Sequence, residues 1–80
     1  MLESLGHSDK LIGVKQCHRA LKDGKVQHAF FAQDAEERLT GPLVRLCQEK
    51  DIPMTSVQSM QALGQACGID VGAAVAVILR

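Results

Sequence analysis

Aromatic residues are almost missing from this 80-residue chain: Phe30 and Phe31 are the whole complement, with no tryptophan or tyrosine. The core must therefore be aliphatic, built from Leu, Ile, Val, Ala and Cys. Paired cysteines are missing too. Cys17, Cys47 and Cys67 are odd in number, far apart and without a Cys-x-x-Cys, which argues against a disulfide framework and for a reducing cytosol. No apolar stretch follows a basic start at the N-terminus, so no signal peptide is expected. The longest apolar run, Val71 to Leu79, is too short to span a bilayer. Neither sign of charge is in excess, since nine basic residues balance nine acidic ones. Taken alone, this balance argues against a general nucleic-acid sponge.

Catalytic and metal-binding patterns are also lacking. Cys17 and His18 are adjacent and His28 is not far away in sequence, but structural zinc needs paired ligands at short spacings. A Cys-His nucleophile would need an orienting acid and an oxyanion loop, and neither is evident. No metal, cofactor or enzymatic activity is expected. His7, His18 and His28 read as surface or partly buried residues of no special role.

What is present suits a small globular protein, with 46% hydrophobic and 22% charged residues and one domain expected over residues 1–80. There is no repeat, linker or low-complexity tract. The charge is unevenly spread. Lys10, Lys15, Arg19, Lys22 and Lys25 stand within sixteen residues against one acid, Asp23. Such a dipolar surface can meet a polyanion on one side and stay soluble on the other.

Strand-like and helix-like segments alternate. Leu11 and Ile12 suit a short strand ending at Gly13. Val14, Cys17, Ala20 and Leu21 then recur at helical spacing until Gly24. Lys15, Arg19 and Lys22 share another face of that helix. Val26 to Ala32 reads as a buried strand. Asp34 to Leu39 is acidic and suits a loop or a short helical turn. Thr40 and Pro42 mark the entrance of a second helix, because proline is tolerated in a first turn. Asp51-Ile52-Pro53 ends that helix and opens a short strand through Val57. Ser59 caps a third helix, Met60 to Cys67, with Gly68 as a left-handed stop. Gly72 to Leu79 is small and apolar throughout, as a central strand buried on both faces would be. The β-α-β-α-β-α-β order predicts an α/β fold with a sheet between helices, and right-handed crossovers between parallel strands.

Three stretches carry a family resemblance. They are Leu11-Ile12-Gly13-Val14-Lys15-Gln16 with Arg19-Ala20-Leu21, then Leu46-Cys47-Gln48-Glu49-Lys50-Asp51-Ile52-Pro53, and Ser59-Met60 with the run Leu63-Gly64-Gln65-Ala66-Cys67-Gly68-Ile69-Asp70-Val71-Gly72-Ala73-Ala74. Together with the Ala32-Gln33-Asp34-Ala35 turn, they resemble the archaeal ribosomal protein seven-Ae superfamily, in particular its small bacterial homologues of the YbxF/YlxQ type. The resemblance implies a three-layer α/β/α sandwich with a mixed sheet of about four strands. It implies binding to kink-turns, in which a bulge followed by tandem sheared G·A pairs bends an RNA duplex sharply. The expected partner is a structured RNA containing that element, ribosomal RNA or a riboswitch, bound by a cytoplasmic monomer.

Carried over residue by residue, the resemblance puts Gly13, Val14, Lys15, Gln16 and Arg19 in the recognition turn and helix start. It puts Ile69, Asp70 and Val71 in an apolar loop that covers splayed nucleotides. Lys22 is assigned to the RNA backbone and Asp34 to the RNA surface. The archaeal pattern Gly-Thr-Asn-Glu is here Gly-Val-Lys-Gln, as in the bacterial subgroup. Val14 thus lacks the hydroxyl of the archaeal threonine.

The residue types fit that chemistry. A regular A-form duplex hides its base edges, so specific readers need irregular RNA. Lysine can donate to guanine O6 and N7, and a glutamine amide can both donate and accept, each good base contact contributing ~1–3 kcal/mol of discrimination. Gly13 lets the backbone pass close to RNA, and a helix N-terminus brings free N–H groups to phosphates. Plainer readings stand beside these. The three cations could be the solvated face of an amphipathic helix. Gly68 to Gly72 could be an ordinary turn with core apolar residues, and Asp34 could cap the next helical turn. A protein-interaction scaffold on the same fold, with little RNA affinity, is the competing function.

Overall fold

The computed structural model describes Gly6 and residues 9–80; His7 lies outside them. Chain order is β1 (Lys10–Ile12), α1 (Val14–Lys22), β2 (Val26–Ala32), α2 (Glu37–Glu49), β3 (Met54–Val57), α3 (Met60–Ala66) and β4 (Val75–Leu79). The four strands form one sheet in the order β1-β4-β2-β3. β4 runs antiparallel to both β1 and β2, while β2 and β3 are parallel. The sheet is therefore mixed, as the family resemblance implied.

Alternation along the strands builds a core on each face, because successive side chains point to opposite sides of a sheet. Phe31, Ala29, Val75 and Val77 pack against Cys17, Ala20 and Leu21 of α1 and against Leu43 and Cys47 of α2. Phe30, Ala32, Val57, Ala76 and Ile78 pack against Leu63 and Cys67 at α3. The three-layer α/β/α sandwich follows directly. All three cysteines are buried and unpaired. Burial pushes the Cys17 thiol up to about 12 and the Cys47 thiol to about 11.

Two element boundaries differ from the sequence reading. The second helix starts at Glu37, not at Thr40 or Pro42, so Pro42 lies inside it. Proline removes one N–H and crowds the carbonyl four residues back. Here that carbonyl belongs to Arg38, an exposed residue, so water can replace the lost bond. Glu37 in the first turn also suits the positive end of the helix dipole. The last strand starts at Val75 rather than Gly72. One of its expected first residues is held elsewhere: the Ala73 N–H donates to the Met60 carbonyl at 3.0 Å, while the Ala74 carbonyl still accepts from the Ala32 N–H of β2. The central, doubly buried position expected for that strand is observed.

Glycine carries two tight features. Gly13 joins β1 to α1 at φ 107 and ψ 149, a region open essentially to glycine alone. Gly64, inside α3, lies under the following loop, and a Cβ there would stand 2.0 Å from the Val71 carbonyl oxygen.

Candidate nucleic-acid interface

The sheet register decides which segments share a surface. Ile12 pairs with Ala76, Phe31 with Val75, and Ala32 with Val57. The C-terminal ends of β1, β2 and β3 therefore meet the N-terminal end of β4 at one edge of the sandwich. The Gly13 turn, the turn at residues 33–36, the start of α3 and the loop at residues 67–74 all emerge there. Gly13 itself donates its N–H to the Val75 carbonyl at 3.2 Å. The glycine turn is thus bonded to the residue where the apolar loop enters the sheet.

α1 presents its N-terminus at this end. Its N-cap is Gly13, which has no side chain to satisfy the first N–H groups. Lys15, Gln16, Arg19 and Lys22 are exposed, whereas Gly13 and Val14 are half-buried. Among the described residues, none of these three cations is paired with a carboxylate; the ion pair found there, Arg38 with Glu36, lies on the exposed start of α2. Arg19 and Lys22 stand in the last turn, where their charge complements the negative end of the dipole.

The loop splits its apolar residues between two tasks. Ile69 is half-buried and packs against the α3 core. Val71 is 70% exposed, far more than a core valine would be. Asp70 and Gly72 are exposed beside it. A recess of about 170 Å³ between α3 and the loop is lined by Gln61, Gln65 and residues 69–72.

Asp34 has a role that the sequence reading missed. Its Oδ1 accepts from the Met60 N–H at 2.8 Å, so it holds the start of α3 rather than that of the next helix. Ser59 caps the same helix, accepting from the Ala62 N–H at 3.0 Å, as its sequence position predicted. Met60 was also missed. It lies three residues before buried Leu63, so its spacing marks it as core, yet it is 36% exposed. It packs beneath Gly72, whose Cβ position would be 3.1 Å from the Met60 Cβ. With Val71 it enlarges the apolar rim.

The chain matches the profile of the ribosomal protein L7Ae/L30e/S12e/Gadd45 family over residues 3–80. It belongs to that family. Among its relatives, the RNA-binding protein YbxF of Geobacillus stearothermophilus is 43% identical over 70 residues, covering 88% of this chain and 85% of the relative. An RNA-binding protein of Geobacillus sp. (strain WCH70) is 41% identical over the same length, with the same coverage of each chain. In structure, the chain resembles the Giardia lamblia 15.5kD RNA binding protein, with a TM-score of 0.90 and 26% identity over 99% of this chain and 70% of that one. A Bacillus halodurans protein of unknown function superposes with a TM-score of 0.87, at 26% identity over 99% of this chain and 83% of the other. The relatives are named as binders of RNA rather than as enzymes, in line with the non-enzymatic reading. Among the described residues, no helix is long and apolar enough to cross a membrane.

Proposed function

We propose that residues 1–80 form one RNA-binding domain that recognises kink-turn RNA with tandem sheared G·A pairs. In this reading, Lys15 and Gln16 meet the exposed guanine edges. The N–H groups after Gly13 face a phosphate, and Arg19 and Lys22 follow the RNA backbone. Val71, with Asp70 and the half-buried Ile69, covers the splayed bulge nucleotides. Asp34 acts indirectly, by fixing the α3 end on which that loop rests. The RNA would be ribosomal or a riboswitch, and the protein a cytoplasmic monomer needing no cofactor.

One observation carries this reading: solvent-facing Val71 stands at the same end of the sheet as the cation-bearing helix start. Exposed apolar side chains are informative when they gather in one place rather than lie scattered. Among the described residues, the large exposed ones Leu39, Met60 and Val71 belong to segments at this end, whereas Met54 lies on edge strand β3. A scaffold binding protein elsewhere would gather them away from the cations.

Gel mobility shift with a kink-turn hairpin tests the proposal. Tight binding is expected, and it should be lost when the G·A pairs become Watson–Crick pairs. Equal affinity for both RNAs would defeat it. Lys15→Ala or Gln16→Ala should weaken kink-turn binding by ~1–3 kcal/mol, roughly 5- to 150-fold, while changing non-specific binding much less.

A further inference from the structure

α1 has two flanks. One packs against α2 through Cys17, Leu21, Leu43 and Cys47. The other overlooks β1, the edge strand of the sheet among the described residues. On that side a groove of about 360 Å³ opens between the helix and the ends of β1 and β4, with room for one nucleotide. Its helix wall is Gln16, Arg19, Ala20 and Asp23. These lie at i, i+3, i+4 and i+7, a single line along the helix, about 10 Å long at 1.5 Å per residue. Leu11 and Leu79 form an apolar floor, and Lys25 stands at the far end, just past the turn at Gly24.

The groove begins at Gln16, so it continues the surface assigned above to base recognition. Two cations, Arg19 and Lys25, face one carboxylate, Asp23. A phosphate group suits the cations. The aliphatic floor suits the face of a base or ribose. Asp23 can only accept hydrogen bonds when ionised, so it favours a base edge bearing amino hydrogens. Carboxylates read cytosine in this way, through its N4 amino group. Uracil offers no amino group, and its one base donor, the N3–H, is flanked by two carbonyl oxygens that an ionised carboxylate repels.

We propose that this groove holds one unpaired nucleotide of the bound RNA, with its phosphate between Arg19 and Lys25 and an amino-bearing base edge on Asp23. This rests on the reading that α1 faces RNA. It adds a nucleotide outside the kink itself and a preference for adenine, cytosine or guanine over uracil there. An acidic protein segment would satisfy the cations but brings no planar ring to the aliphatic floor of Leu11 and Leu79.

Nitrogen-15 NMR mapping on the whole 80-residue chain tests the proposal. AMP, CMP, GMP and UMP serve as probes, with a polyglutamate peptide as the competing chemistry. The amino-bearing nucleotides should shift the amide signals of Leu11, Ala20, Lys25 and Leu79. Their dissociation constants should fall about fivefold below that of UMP, the effect of one net hydrogen bond. Asp23→Asn should bring the ratio to about one, since an amide can donate as well as accept. Lys25→Ala should weaken all four nucleotides together. Shifts confined to other residues, an equal response to UMP, or preference for the peptide would overturn the inference. The hairpin gel shift is run in parallel. If the hairpin binds and the groove is silent, this inference alone fails. If the groove responds and the kink-turn hairpin does not bind, the kink-turn reading alone fails.

Discussion

Gly64→Ala adds one methyl group to α3, and in a free helix that change would stabilise by about 1 kcal/mol. In this fold the sign should reverse. The new carbon would stand 2.0 Å from the Val71 carbonyl oxygen, 3.1 Å from its carbonyl carbon and 3.3 Å from the Gly72 Cα. All three are backbone atoms, so no side-chain rotation relieves the contact and the loop itself must move. Overpacking of this kind costs roughly 1–3 kcal/mol. Loss of the bond from the Ala73 N–H to the Met60 carbonyl adds about 1 kcal/mol. Set against the helix gain, the net loss is about 2 kcal/mol, which for a chain of this size lowers Tm by roughly 8–16 °C. Gly41→Ala is the internal control. Gly41 also lies within a helix, α2, and apart from its chain neighbours nothing stands within 4 Å of its Cβ position. The ring of Pro42 crowds the Cβ of the residue before it and offsets much of the ~1 kcal/mol helix gain, so Tm should stay within about 4 °C of the parent. Thermal melting followed by far-ultraviolet circular dichroism reads both. A loss of Tm as large in Gly41→Ala as in Gly64→Ala would refute the packing argument. Gly64→Ala should also weaken kink-turn binding, because Val71 rides on the displaced loop.

Three further outcomes follow from other features. Lys22→Ala should reduce the steepness of the log–log salt dependence of RNA binding by about one, measured by titrations at several salt concentrations. Asp34→Ala removes the carboxylate that bonds the Met60 N–H and should cost about 1–2 kcal/mol by urea unfolding; Asp34→Asn, which keeps an acceptor, should recover most of it. Alkaline conditions should destabilise the fold. A Cys17 thiol titrates near 9.0 when unfolded and near 12 when folded, so the folded state retains the proton longer. The stabilisation is complete below pH 9 and is lost as pH rises toward 12, at up to ~1.4 kcal/mol per pH unit. Urea midpoints measured on either side of pH 9 check the slope, which should be shallower in Cys17→Ala.

Much of the architecture was legible because local punctuation and hydrophobic spacing agreed. Gly13 and Gly24 bracket α1, Ser59 caps α3, and Gly68 at φ 81 follows that helix. Where the reading slipped, a non-local contact had overridden a local signal. Pro42 reads as a first-turn residue, yet the exposed Arg38 position tolerates it five residues into α2. The small apolar run from Gly72 reads as strand, but Ala73 within it is bonded to α3 instead. Asp34 precedes a helix and looks like its cap, while its partner is 26 residues away. No local pattern announces such a pairing. For the candidate site, the glycine turn and its cations were legible as a motif. The exposure of Met60 was hidden, because its spacing to Leu63 and Cys67 reads as a buried stripe.

Position and order in the sheet also bear on how this molecule comes into being. β4 is the seventh element to be made, yet it lies between β1 and β2. Until it slots in, the first strand has no neighbour, and both hydrophobic layers lack the middle of the surface they cover. A nascent chain that has produced α1, α2 and α3 therefore still lacks the finished end that carries the candidate interface. Assembly waits on a strand that must thread between two others already synthesised, a long-range step that slows folding. In the proposed reading, RNA can be gripped only after β4 has been made and has slotted into the sheet.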